Sequence, residues 1–153
     1  MNEKQKDLLV ECIKLENNMA NLYELFHAYY EEEKDFWMQM SEEETNHASF
    51  LNSILQLDFP PYMITQELVA TDLRMTKEIN VNIEKICIQI QNAPLSRKEA
   101  LKLAIHYEKS SIELFFQIIA DSQPTNEYID AFKELIGEDK DHAKRIGELI
   151  IEG

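Results

Sequence analysis

The chain of 153 residues sets 29 acidic side chains against 15 basic ones, a formal net charge of −14. That surplus excludes nucleic acid, whose phosphates would repel it, and anionic membrane surfaces. Three Gly and four Pro, with no apolar run near the roughly 20 residues needed to cross a bilayer, leave one compact helical domain over 1–153 as the expectation. In chain order, the first helix carries a seam of Leu9, Cys12, Glu16, Met19, Tyr23, Phe26 and Tyr30. Steps of three and four keep those side chains on one face. A second seam follows in phase: Trp37, Met40, Glu44, His47, Leu51 and Ile54. No Gly or Pro separates the two. One unbroken helix would hold Glu16 and Glu44 about 42 Å apart at 1.5 Å per residue. A turn is therefore expected near Glu31–Lys34, where the internal repeat described below maps Pro124.

Phe59-Pro-Pro61 ends the second helix. From about Thr65 to Gln91, the residues Met75, Ile79, Ile83, Ile86 and Ile90 share one face, which reads as a crossover helix without an inward ligand set. Glu78 and Glu84 read as solvated, and Val81 and Ile88 as candidates for a homodimer contact. After the break at Asn92-Ala-Pro94, Ser96-x-x-Glu99 is a capping-box signature. It opens a third seam: Leu101, Ala104, Glu108, Ser111, Phe115 and Ile118. Asp121-Ser-Gln-Pro124-Thr125 ends that helix, and the last seam runs Phe132, Leu135, Asp139, His142, Ile146 and Leu149. The expected fold is all-α, a four-helix bundle of two helical hairpins joined by a long, partly helical crossover.

Each seam is interrupted near its middle by metal-ligand residue types. A core normally excludes carboxylates, because an unpaired buried charge is very costly. Glu16, Glu44, Glu108 and Asp139 carry four negative charges if ionised, which two divalent cations balance, with His47 and His142 as neutral ligands. In Glu44-x-x-His47 and Asp139-x-x-His142 the partners lie one turn apart on one helix face. Either pair alone reads as a solvated helix face; all four elements in register read as a metal site. The hairpins also repeat. Glu16 aligns with Glu108, Ile13 with Ile105 and Tyr23 with Phe115, while Glu44 aligns with Asp139, His47-Ala48 with His142-Ala143, and Trp37 with Phe132. Such a repeat implies a pseudo-two-fold axis and a dinuclear centre.

Cys12-Ile-Lys-Leu-Glu16 through Tyr23, Glu44-Thr-Asn-His47-Ala48 and Ala100 through Glu108 resemble the ligand segments of rubrerythrin-like proteins of the ferritin-like di-iron superfamily. The resemblance covers nearly the whole chain in ligand order. It implies a ferritin-like bundle with two iron ions, manganese being the alternative, that react with oxygen or hydrogen peroxide. It also implies an external electron donor, since the rubredoxin domain with its paired C-x-x-C motifs is lacking. Two departures stand out. Asp139 replaces the usual Glu, and the second third-helix Glu of rubrerythrins is absent, Ile105 and Ser111 standing at those positions. Three readings follow: a redox enzyme of peroxidase or ferroxidase type, an iron-binding or storage protein, and a metal-free interaction module with a decayed site.

Other residues complete the reading. Tyr23 is placed to hydrogen-bond a ligand carboxylate or to donate an electron, and equally to fill the core. His27 reads as a satisfied or interfacial histidine, and Asn46 and Asp141, beside the two histidines, as second neighbours that are mostly exposed. Cys12 and Cys87 form no motif and read as reduced core residues. The N-terminus lacks the apolar core of a signal peptide, which points to the cytoplasm.

Overall fold

The computed structural model describes residues 3–56, 66–120 and 127–153. Among them are five α-helices: α1 (Glu3–Tyr29), α2 (Lys34–Leu55), α3 (Gln66–Asn92), α4 (Arg97–Ala120) and α5 (Glu127–Glu152). A single 3-10 turn, Glu31–Glu33, links α1 to α2. The all-α architecture is the expected one, with α1 packed on α2, α4 packed on α5, and α3 as the intervening helix. The chain divides into two compact units, residues 1–94 and 95–153. The expected helix ends at Phe59-Pro-Pro61 and Asp121–Thr125 lie outside the described residues.

In the first unit the hairpin turn falls where the repeat placed it. Tyr30 leaves the helical region at φ −116°, ψ 85°, and Glu33 has φ −120°, ψ 17°. The helix can stop there without Gly or Pro because side chains take over the bonding. His27 Nδ1 lies 2.8 Å from the Lys34 carbonyl oxygen, so the ring donates across the turn, and Lys34 Nζ meets Glu31 at 2.8 Å. His27 is thus a satisfied histidine. Further along the hairpin, Ser41 Oγ donates to the Ala20 carbonyl at 3.0 Å. Trp37, Tyr23 and Phe26 fill the core between the two helices, and their ring contacts add roughly 0.5–1.5 kcal/mol per pair beyond the area they bury.

The face that α3 buries differs from the expected apolar one. Ile83 and Ile90 are buried, but Met75, Ile79 and Ile86 are only half-buried, while Asp72, Thr76 and Asn80 are fully enclosed. The stripe rotates because polar partners on α1 are available to it. Asn80 accepts from Asn18 Nδ2 at 3.0 Å and donates to the Glu11 carbonyl at 3.0 Å and to Glu11 Oε2 at 2.9 Å. Lys14 pairs with Glu84 at 2.8 Å on the outer edge, so Glu84 is half-exposed and paired rather than simply solvated. Val81 and Ile88 are exposed, at 44% and 60%. Because Asn80 is itself buried and ties Asn18 to the half-buried Glu11, Asn80→Ala should cost about 2 kcal/mol. Chemical denaturation of parent and variant checks this, and an unchanged midpoint would show the bonds to be dispensable.

The second unit is a simple hairpin. Ser96 and Glu99 form the expected capping box: Ser96 N–H donates to Glu99 Oε2 at 2.9 Å, and Glu99 N–H to Ser96 Oγ at 3.3 Å. These bonds hold the exposed Glu99 carboxyl below its usual range. Phe115 packs on Phe132 with centroids 5.5 Å apart, and Arg97 donates to the Leu149 carbonyl at 3.2 Å, so α4 and α5 run antiparallel. Among the described residues, no helix is long and apolar enough to cross a membrane.

Candidate metal-binding residues

All six residues singled out by the seams are buried, none more than 4% exposed. Two sets form, one in each unit.

In the first unit, Glu16 comes from the middle of α1, and Glu44 and His47 from one face of α2. His47 Nδ1 lies 3.0 Å from Glu44 Oε2 and 3.5 Å from Glu16 Oε2. One imidazole nitrogen therefore faces two carboxylates at once. Neutral imidazole offers one N–H, so the arrangement demands extra protons. Burial raises the Glu16 carboxyl, the neighbouring Glu44 charge raises it further, and it reaches about 8. Burial alone would lower His47, but the Glu16 and Glu44 carboxylates outweigh it and push the ring up to about 12. Even so, Glu16 Oε1 is buried with no hydrogen-bond partner among the described residues.

The second unit repeats the pattern. His142 Nδ1 lies 3.5 Å from Glu108 Oε1 on the facing helix, the same separation as His47 to Glu16. Asp139 sits one turn before His142 on α5 and is fully buried. The carboxylate and nitrogen donors of both sets are hard-to-borderline ligands that suit iron, manganese or zinc.

The other residues singled out in the sequence take these places. The Tyr23 ring packs on Trp37, centroids 5.4 Å apart, two turns from Glu16. Asn46 and Asp141 are exposed, Asp141 forming an ion pair with Arg145 at 2.9 Å. Cys12 is buried one turn before Glu16, and burial, then the Glu16 charge, raise its thiol well above its ordinary value. Such a thiol is held protonated and unreactive. Sequence reasoning overlooked the enclosed row Asp72, Thr76 and Asn80. Its signal was polar residues at helical i, i+4, i+8 spacing on a helix that otherwise buries apolar side chains.

The chain matches no family model, no curated protein and no solved structure.

Proposed function

We propose that Glu16, Glu44 and His47 in one unit and Glu108, Asp139 and His142 in the other hold two divalent metal ions, as the halves of one dinuclear centre in a single ferritin-like domain. The observation that carries this reading is the His47 set. Two buried carboxylates converge on one imidazole nitrogen, with one carboxylate oxygen left without a partner. A core of that composition is unfavourable unless a cation belongs there. The equivalent set in the second hairpin and the sequence repeat supply the second ion and the pairing.

Two iron ions, or manganese, would supply the electrons for reducing an O–O bond. The residues of this chain do the rest. The four carboxylates neutralise the metal charge, and the histidines complete the ligand sets as neutral donors. The surrounding core, with Leu15, Met19, Met40 and Leu51 fully enclosed, keeps bulk water out. We read the chain as a rubrerythrin-like oxidoreductase or ferroxidase that uses oxygen or hydrogen peroxide and a separate electron donor. The ferroxidase side is favoured at one point: Ser111 is buried beside the third-helix ligand where rubrerythrin peroxidases offer a further carboxylate.

The shorter Asp139 reaches one methylene less far than Glu and would leave more room beside an ion it held. Asp139→Glu should therefore change the oxidation rate more than the metal content. Stopped-flow oxidation of ferrous-loaded parent and variant, with oxygen and with peroxide, checks both points. The expected result is competent oxidation by oxygen and slow turnover of peroxide. Peroxide outpacing oxygen by orders of magnitude would move the protein to the peroxidase branch.

A further inference from the structure

Beyond the ligands, the first hairpin contains a run of touching aromatic rings that begins two turns from the metal-ligand layer. Tyr23 follows Glu16 by seven residues on α1, and Trp37 precedes Glu44 by seven on α2. Both therefore lie about 10 Å from the carboxylate layer, toward the α1–α2 turn. Both are completely enclosed. The Tyr23 and Trp37 centroids are 5.4 Å apart; Trp37 meets Phe36 at 5.0 Å and Phe26 at 4.9 Å, and Phe26 meets Tyr30 at 5.6 Å. Phe36 and Tyr30 are half-buried, so the run reaches the surface at the turn. There the exposed side chains of Glu31, Glu32 and Asp35, with Lys34 paired to Glu31 at 2.8 Å, leave a net negative rim.

Trp37 is the only tryptophan in the chain, and its Nε1–H is buried with no hydrogen-bond partner among the described residues. A core tryptophan that serves packing alone usually finds a partner for that group. The missing acceptor has a redox consequence. An indole with nothing to take its proton keeps it, and a returning electron restores it without any proton having to be moved.

We propose that Trp37, with Tyr23 beside it, relays single electrons to the Glu16–Glu44–His47 layer from a positively charged one-electron donor that docks at the acidic α1–α2 turn. The proposal rests on the metal-centre reading above. In each passage the Trp37 indole gives one electron inward and regains one from the donor, which is oxidised by one electron. Two passages and two protons from solvent convert one hydrogen peroxide to two waters. The donor's positive charge follows from the rim, and its rate should fall with salt as the attraction is screened.

The test mixes iron-loaded full-length protein with hydrogen peroxide and hexaammineruthenium(II), a cationic one-electron reductant, together, so that peroxide is present as the oxidant while electrons enter. Ferric absorbance reports re-reduction, and freeze-quench electron paramagnetic resonance reports any indole radical. Parent protein should show the indole signal, Trp37→Phe should lack it and be re-reduced an order of magnitude more slowly, and Trp37→Tyr should recover much of the rate. Added salt should slow the parent. A Trp37→Phe rate within a factor of two of parent overturns the relay, as does slow re-reduction without an indole signal in parent. Should Trp37→Phe lose its helical circular dichroism, Tyr23→Phe carries the same comparison, with a slower rate expected and an unchanged one overturning the proposal. A parent that binds no iron overturns the metal-centre reading itself, a result separable from all of these.

Discussion

Metal binding to the metal-free protein at pH 7 should release about two protons from the first hairpin alone. Glu16, held at about 8, and His47, pushed to about 12, are both protonated at that pH, and both must lose the proton to become ligands. The same shifts fix the pH dependence of stability. Both groups bind protons more tightly folded than unfolded, so the folded metal-free form carries more protons than the unfolded chain. The stability these two groups contribute is fully present at low pH and is lost as pH rises, between 4.5 and about 8 for Glu16 and between 6.5 and about 12 for His47. The loss should be roughly 2 kcal/mol per pH unit near neutrality, where both groups contribute. The metal-bound form has the opposite sign, because protons compete with the ions and its extra stability grows with pH. Titration calorimetry in buffers of different ionisation enthalpy measures the released protons, and melting curves from pH 6 to 9 measure the slopes. Parallel slopes with and without metal would mean that these groups are not the ligands.

The second large effect separates two substitutions in the same set. In the metal-free protein one imidazole faces two carboxylates, and Glu16 is the surplus one, with an oxygen left without a partner. Glu16→Leu leaves His47 paired with Glu44 at 3.0 Å and fills the space with an apolar side chain of similar volume. Replacing a poorly satisfied buried carboxyl in this way, protonated though it is at neutral pH, is stabilising by roughly 1–3 kcal/mol. His47→Leu does the reverse, leaving two carboxylates together without their cation, at a cost of about 3–5 kcal/mol. Both variants should lose metal, yet their metal-free forms should melt on opposite sides of the parent. A Glu16→Leu protein less stable than the metal-free parent would show that Glu16 is a well-satisfied structural residue.

Much of this was legible in the sequence because the six residues violate the pattern that surrounds them. Glu16, Glu44, Glu108 and Asp139 occupy positions that the three-and-four spacing reserves for apolar side chains, and the fold buries every one. The α1–α2 turn was harder. Hydropathy runs through it in phase, and what ends α1 is a bond from His27 to a backbone oxygen seven residues on, which leaves no trace in a periodic pattern. The orientation of α3 was misjudged for a related reason. Apolar spacing favoured the Met75–Ile79–Ile86 side, whereas Asn80 is turned inward by three specific bonds to Asn18 and Glu11. Pairwise polar satisfaction across 62 to 69 residues of sequence is not encoded in local periodicity. Tyr23 was read equally as a core aromatic and as a neighbour of the ligands; its ring contact with Trp37 became evident only when the two helices were folded together.

Metal content after anaerobic ferrous loading is the most direct measurement of the central claim. Parent protein should hold two irons per chain, and the His47→Ala, His142→Ala double variant, which removes one neutral ligand from each set, should lose most of them. Full loading of the double variant, or an iron-free parent, would contradict the assignment of these six residues as a dinuclear metal site.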